Sequence, residues 1–264
     1  MRNTPTTDTP GRDQLKGARV LVFQHLPVET PGSVGHHLVA AGLELSVVEL
    51  DHGQPIPVLA DYDALVVMGG PMDVWQEELH PWLVPEKEAI RCWVEELGRP
   101  FLGVCLGHQL LADSLGGEVG PMPQPEIGVM EVRVTEEGRS DPLVTDLAPS
   151  FPALQWHGAQ VVRPPAGAVV LAHNSHCAVQ ALRVGSAAWG MQFHVEASPS
   201  IVAEWSDVPE YRSALAATGD GDPGWMYRAM VANEDAMTSA CATLSSALLA
   251  RIRAGIGDRK ELAR

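Results

Sequence analysis

Pro100-Phe101-Leu102-Gly103-Val104-Cys105-Leu106-Gly107-His108-Gln109-Leu110-Leu111 is the stretch that decides how this chain folds. Pro100 to Val104 form a short apolar run of the kind a buried strand requires, and Leu106, Leu110, Leu111 and Leu115 then share one side of a helix that stops at Gly116-Gly117. Cys105 stands at the junction, between two glycines. A strand turning directly into a helix, with a thiol on the turn, is a nucleophile-elbow arrangement with sulfur in place of oxygen.

Upstream, the same strand and helix signals alternate. Ala18 to Phe23 read as a first strand, Val34 to Ala41 as a helix ending at Gly42, and Leu45 to Leu50 as a second strand. Asp63 to Met68 form a third strand, stopped by the breaker cluster Gly69-Gly70-Pro71. Pro85 opens a helix whose Ile90, Trp93, Val94 and Leu97 fall at helical spacing, with Gly98 at the C-terminal cap. Strands and helices alternating over short turns predict an α/β fold, a flavodoxin-like open and mostly parallel sheet with helices on both faces. Ligands bind such sheets at the C-terminal ends of the strands, where Gly70 and Cys105 fall.

Downstream of Gly128 the pattern changes to strands without long helices: 129–135, 153–157, 169–172, 178–184 and 188–194. These either extend the sheet or pair antiparallel among themselves. After Glu196 the chain reads as helical, and Trp225, Met226, Ala229, Met230, Met237, Cys241, Leu244, Leu248 and Ile252 keep close to a 3.6-residue period. The expected organisation is a disordered polar tail over 1–17, one main domain over 18–205 and a helical C-terminal extension over 206–264. Gly219 to Gly224 make a turn within that extension.

Of the 264 residues 45% are hydrophobic, enough for one main core. The net charge of −15 and a pI near 5.0 have the wrong sign for nucleic acid or an anionic membrane surface. The N-terminus lacks the apolar core of a secretory signal, and no apolar run approaches a membrane span. Cysteines 92, 105, 177 and 241 show no paired spacing, which fits a reducing cytoplasm better than a disulfide framework.

At Cys105 the N-terminus of the following helix favours a thiolate and offers backbone N–H groups to a developing oxyanion. A cysteine among apolar neighbours is often only a small buried side chain; the flanking glycines favour the functional reading. Met191-Gln192-Phe193-His194-Val195-Glu196 supplies a second feature, because residues two apart on a strand share a face. Glu196 would then hold the His194 imidazole in one tautomer; the alternative is a surface pair at a strand end. His173-Asn174-Ser175-His176-Cys177 carries ligand-like residues, but no second cluster accompanies it and no metal is expected. Neither glycine pair precedes Lys-Ser/Thr, so no nucleotide or other cofactor is expected either. His25, His36, His37 and His52 read as polar loop or helix residues, and the Met and Trp stripe after Gly224 as core packing.

With these residues in view, the chain resembles the class I, triad-type glutamine amidotransferases. Gly103 to Leu111 is similar to their nucleophile motif, Gln192 to Glu196 to their histidine–glutamate motif, and Gly69-Gly70-Pro71 to their oxyanion loop. The motifs occur in the family's order and at about its spacing over Ala18 to Trp205, nearest to stand-alone members resembling the glutaminase domain of GMP synthetase. The resemblance implies Cys105, His194 and Glu196 as a catalytic triad, the N–H groups of Gly70 and Leu106 as oxyanion hole, and Gln109 and Gly158 as substrate-binding residues. Val195 stands where proline is frequent, a harmless change, whereas Ala159 stands where some members carry a large residue and leaves the pocket contacts open.

The function this implies is hydrolysis of the glutamine side-chain amide through a Cys105 γ-glutamyl thioester, with ammonia supplied to a separate synthetase. A γ-glutamyl peptidase or γ-glutamylamide hydrolase would use the same triad. A non-catalytic regulatory module is a third reading, opposed by the intact Cys105, His194 and Glu196.

Overall fold

Val20 to Phe23 are closed off from solvent on both faces, and the reason lies in their alternation. In this computed structural model, which describes residues 15–217 and 224–262, Val20 and Val22 point into one hydrophobic layer and Leu21 and Phe23 into another. Both faces of the strand must therefore be apolar, the signature of a parallel strand covered on each side.

The elements that follow are β1 (Arg19–Gln24), α1 (Gly32–Ala40), β2 (Glu44–Glu49), β3 (Ala64–Val67), α2 (Leu83–Cys92), β4 (Phe101–Val104) and α3 (Leu106–Ser114). Then come β5 (Glu118–Val134), β6 (Ser150–Arg163), β7 (Val169–His173), β8 (Ala181–Val184), β9 (Ala188–Met191), α4 (Ile201–Ser206), α5 (Pro209–Ala217) and α6 (Gly224–Leu262). Among the described residues the strands form one sheet in the order β2-β1-β3-β4-β9-β8-β7-β5-β6. The pairs from β2 to β9 are parallel and those from β9 to β6 antiparallel. The expected α/β class, with its parallel first half and antiparallel second half, is what the chain adopts. The strand order reverses beside β1, so the C-terminal ends of β1, β3, β4 and β9 frame the crevice where open α/β sheets bind ligands.

Several boundaries differ from expectation. Pro85 is the third residue of α2 rather than its first, which costs nothing because the first N–H groups of a helix have no intrahelical acceptor. Beyond Cys92 the helix widens into a π turn over Trp93–Leu97 and closes at Gly98, whose φ of 59° is left-handed. Pro121, Pro123 and Pro125 look like breakers, yet β5 runs through them. Its ladder with β6 is interrupted between Pro121 and Glu126, so these prolines are spared the hydrogen bonds they cannot donate.

Residues 1–14, most of the expected disordered tail, and 218–223, most of the expected turn, lie outside the described residues. Leu15, assigned to the tail by its neighbours, is buried in the core together with Val34 and Leu38 of α1. The long α6 lays Ala240, Cys241, Leu244, Leu248, Ile252 and Ile256 on the face shared with α1, while α2 and α3 cover the other face. Its stripe is thus core packing. No described helix is long and apolar enough to cross a membrane.

Candidate active site

The elbow is built from what its glycines lack. A Cβ on Gly103 would lie 2.3 Å from the Gly107 carbonyl oxygen, and one on Gly107 would lie 2.2 Å from that of Val67. Without those atoms β4 passes directly into α3, and Cys105 is left at φ 52° and ψ −103°, the one non-glycine residue with positive φ among those described. A non-glycine residue held there costs on the order of 1–3 kcal/mol and persists only when its surroundings enforce it. Here the Cys105 N–H donates to Met191 O (2.8 Å), Gly107 N–H to Met68 O (3.2 Å) and Gln109 N–H to Cys105 O (3.1 Å). Three strand ends thus lock one side chain, and Leu106 N–H belongs to the first helical turn, which has no intrahelical acceptors.

His194 arrives from the other half of the sheet. β9 stops at Met191 rather than at His194, but the ladder does not: Gln192 N–H donates to Gln180 O (2.8 Å), and His194 pairs with Leu154 of β6 in an isolated antiparallel bridge. His194 Nδ1 lies 2.6 Å from Glu196 Oε1, with both side chains buried. Burial works against a charged ring, but the Glu196 carboxylate and the neighbouring Cys105 side chain outweigh it and hold the imidazole pKa well above its ordinary value. A surface pair at a strand end is therefore not what these residues form.

A cleft of about 180 Å³ opens beside Cys105, lined also by Gly70, Gln109, Trp156, Gly158 and Tyr211. Gly70, Cys105, Gln109 and Gly158 of the sequence reading thus share one cavity, with His194 and Glu196 behind it. Gln109 Nε2 donates to Ala159 O (3.2 Å) and Gln192 Oε1 (3.1 Å), so this amide group braces the wall of the cleft. His108, its neighbour, is no proton carrier at neutral pH: burial, then the charge of His157, pushes its pKa down to about 3.

Sequence reasoning passed over several residues here. Gln192 points its Nε2 at Cys105 Sγ, 3.6 Å away. Trp205 of α4 packs edge-on to the His194 ring at 4.7 Å, and Tyr211 of α5 donates to Glu29 Oε1. Glu29 itself is fully enclosed, and burial raises its pKa despite the nearby His194 and the Tyr211 hydroxyl. His25 is no polar loop residue but wholly buried, its Nε2 2.9 Å from Glu86 Oε1. One signal was available for that pair: Glu86 shares the helical face of Ile90 and Trp93, a face that is otherwise apolar and buried.

Behind the cleft, His157 Nε2 lies 3.0 Å from Glu126 Oε2 while its Nδ1 donates to Ala159 O (2.9 Å). Gln180 Nε2 and Asn174 Nδ2 donate to the same carboxylate, each at 2.7 Å. Desolvation pulls the Glu126 pKa up, but the hydrogen bonds and charge of His157 and the Asn174 amide bring it below the usual carboxylate value. A depressed folded-state pKa means that the carboxylate stabilises the fold above its unfolded pKa and that this contribution is lost as pH falls through the folded value. Glu126→Gln is therefore expected to flatten the acid side of the stability curve below about pH 4.5 relative to the parent. Urea titrations between pH 3 and pH 6 measure this, and unchanged steepness in the variant would contradict it. Among the described residues, no group of three or more His, Cys, Asp or Glu is arranged to hold a metal.

The comparisons with known proteins agree with this geometry. The profile of the family Glutamine amidotransferase class-I matches residues 32–203. A subunit of the glutamine-hydrolyzing GMP synthase of Sulfurisphaera tokodaii is 36% identical over 169 residues, 62% of this chain and 85% of its own. A glutamine amidotransferase of Thermotoga maritima superposes with a TM-score of 0.78 at 25% identity, over 89% of this chain and 98% of its own. One from Methylobacillus flagellatus gives 0.72 at 28% identity, over 92% and 95%. Likeness to these two structures extends into the C-terminal helices, beyond the family profile. By the match over residues 32–203, and by the likeness of its whole sheet to solved members, the chain belongs to the class-I glutamine amidotransferase family.

Proposed function

We propose that this protein hydrolyses the side-chain amide of glutamine through a γ-glutamyl thioester on Cys105 and passes the ammonia to a separate synthetase. The observation that carries the reading is a strained thiol on the wall of a cleft, beside a buried imidazole whose far nitrogen is held by a carboxylate. In the proposed reaction Cys105 Sγ attacks the γ-carbonyl carbon of glutamine while His194 takes the thiol proton. The N–H groups of Gly70 and Leu106 hold the oxyanion, worth about 10²–10³ in rate per donor. As the tetrahedral intermediate collapses, the C–N bond breaks, His194 protonates the leaving nitrogen and the thioester remains. Water, deprotonated by His194, then releases glutamate and restores the thiol. Glu196 keeps the imidazole in the tautomer that faces the sulfur. Gln109 and the Gly158 backbone position the substrate.

Relatives named as the glutamine-hydrolyzing subunit of a GMP synthase support a donor that works beside a synthetase. We assign residues 18–205 to the amidotransferase domain and 206–264 to a helical extension laid against it. The four free cysteines fit a reducing cytoplasm, which completes the proposal.

One observation favours the second reading, a hydrolase of other γ-glutamyl amides or peptides. Glu210, Tyr211 and Ala214 of α5 wall the cleft from outside the family match, and no lysine or arginine is among the described residues that line it. A substrate panel separates the two. Glutamine is expected to release ammonia and glutamate in equal amounts, at a rate that rises about 5–150-fold when an ammonia-accepting synthetase and its substrates are added. Full activity of the isolated chain on a γ-glutamyl amide or peptide, with glutamine a poor substrate, would refute the donor reading and establish the hydrolase.

A further inference from the structure

We propose that His25, braced by Glu86, clamps the Gly69–Gly70 peptide and so sets the direction in which Gly70 presents its N–H to the cleft. This rests on the oxyanion role given to Gly70 above. His25 follows directly after β1, and its Nδ1 lies 2.8 Å from Gly69 O. A carbonyl oxygen only accepts, so Nδ1 carries the hydrogen and donates. On the other side of the ring Nε2 lies 2.9 Å from Glu86 Oε1, and neither side chain has any exposed surface. Trp82 stacks on the ring, 5.3 Å between centroids and 12° from parallel, which leaves the imidazole one orientation.

The peptide geometry turns that contact into a constraint on the site. In a trans peptide the carbonyl and the following N–H point in opposite directions. Drawing Gly69 O towards His25 therefore turns Gly70 N–H away from it, and Gly70 lines the cleft beside Cys105. Two successive glycines have no Cβ with which to resist rotation of the peptide between them. The orientation has to be imposed from outside, and among the described contacts of the Gly69 carbonyl the His25 bond does this. Opposition to charge on the ring comes from burial; the Glu86 carboxylate and the Gly69 carbonyl outweigh it and raise the His25 pKa, as a ring donating from both nitrogens requires.

A buried pair is tested by replacing both members, since removing one strands the other. His25→Phe with Glu86→Leu keeps a ring on Trp82 and deletes the donor. His25→Asn with Glu86→Gln keeps an amide N–H near the position of Nδ1. Two rates on Cys105 are compared: acylation by glutamine, which passes through an oxyanion, and alkylation by iodoacetamide, which displaces iodide without one. The donor-less pair is expected to acylate about 10²–10³-fold more slowly, with KM changed only a few-fold and alkylation at the parent rate. The amide pair is expected to recover at least about tenfold of that loss. His25→Gln, which leaves Glu86 partnered but places its donor away from Gly69, is expected to lose acylation in the same way and serves if the apolar pair does not fold. Acylation and alkylation falling together, or neither falling, would overturn the clamp. Absence of glutamine acylation in the parent protein would overturn the thioester reading and the clamp with it, and the parent control tells the two failures apart.

Discussion

Alanine in place of Cys105 is expected to abolish glutamine turnover, with kcat lower by about 10⁶-fold, because the whole reaction passes through one sulfur. The loss is not one of folding. Alanine keeps the Cβ, so the strained backbone at φ 52° is neither relieved nor worsened, and the three hydrogen bonds that lock the turn are all made by backbone atoms. The same argument predicts where a glutamine-like electrophile will attach. Burial pushes the Cys177 thiol up to about 12 and that of Cys241 up to about 11, so both remain protonated and inert at neutral pH. At Cys92, burial and then the Glu96 carboxylate also raise the pKa. One adduct per chain is therefore expected, found on the Cys105 peptide by mass spectrometry and absent from Cys105→Ala. Undiminished turnover in the variant, or inactivation through another cysteine, would sink the mechanism.

The elbow was legible in the sequence because everything that makes it is local. An apolar run, two glycines and leucines at helical spacing all lie within residues 100–117, and the clash each glycine avoids is with a neighbour in that turn or with the next strand. His194 and Glu196 were legible for the same reason: two residues apart, they needed no knowledge of the rest of the chain to be brought together. Which way the second half of the sheet runs was not legible, since alternating apolar residues suit parallel and antiparallel pairing alike. Nor was the length of β5, whose prolines are tolerated only because the β6 ladder is interrupted opposite them.

What remained hidden is long-range pairing of polar groups. His25 meets Glu86 across 61 residues and Glu29 meets Tyr211 across 182, and neither pairing leaves a periodic trace. A buried ionised group is tolerated only when a partner and hydrogen bonds accompany it, and sequence does not say which partner comes near. The C-terminal helices illustrate the same limit. Their apolar stripe predicted packing on the sheet, which α6 performs, but not that Trp205 would rest on the catalytic-site imidazole or that Tyr211 would wall the cleft.

His194→Asn and Glu196→Gln are expected to fail unequally, and the inequality tests the roles. Loss of the imidazole removes both the base that takes the thiol proton and the acid that protonates ammonia, so kcat should fall by about 10⁶-fold. Loss of the carboxylate leaves the ring in place without its tautomer and orientation, and about 10⁴-fold is expected. A second readout isolates Glu196 from general damage to the site. Burial, the largest influence on His194, lowers its pKa; in the parent protein Glu196 and Cys105 reverse that, so the folded value lies well above the unfolded one of about 6.5. A raised folded-state pKa means the pairing stabilises the fold in full below the unfolded value and loses that contribution as pH rises through the folded one. With Gln at 196 the strongest opposing charge is gone, so the His194 pKa should drop and the stability lost on the alkaline side should shrink. NMR titration of the His194 ring in the ligand-free protein, with unfolding free energies measured between pH 6 and pH 10, reads both. If Glu196→Gln left the His194 titration where it was, or if its kcat fell as far as that of His194→Asn, the carboxylate would have a task other than holding the imidazole.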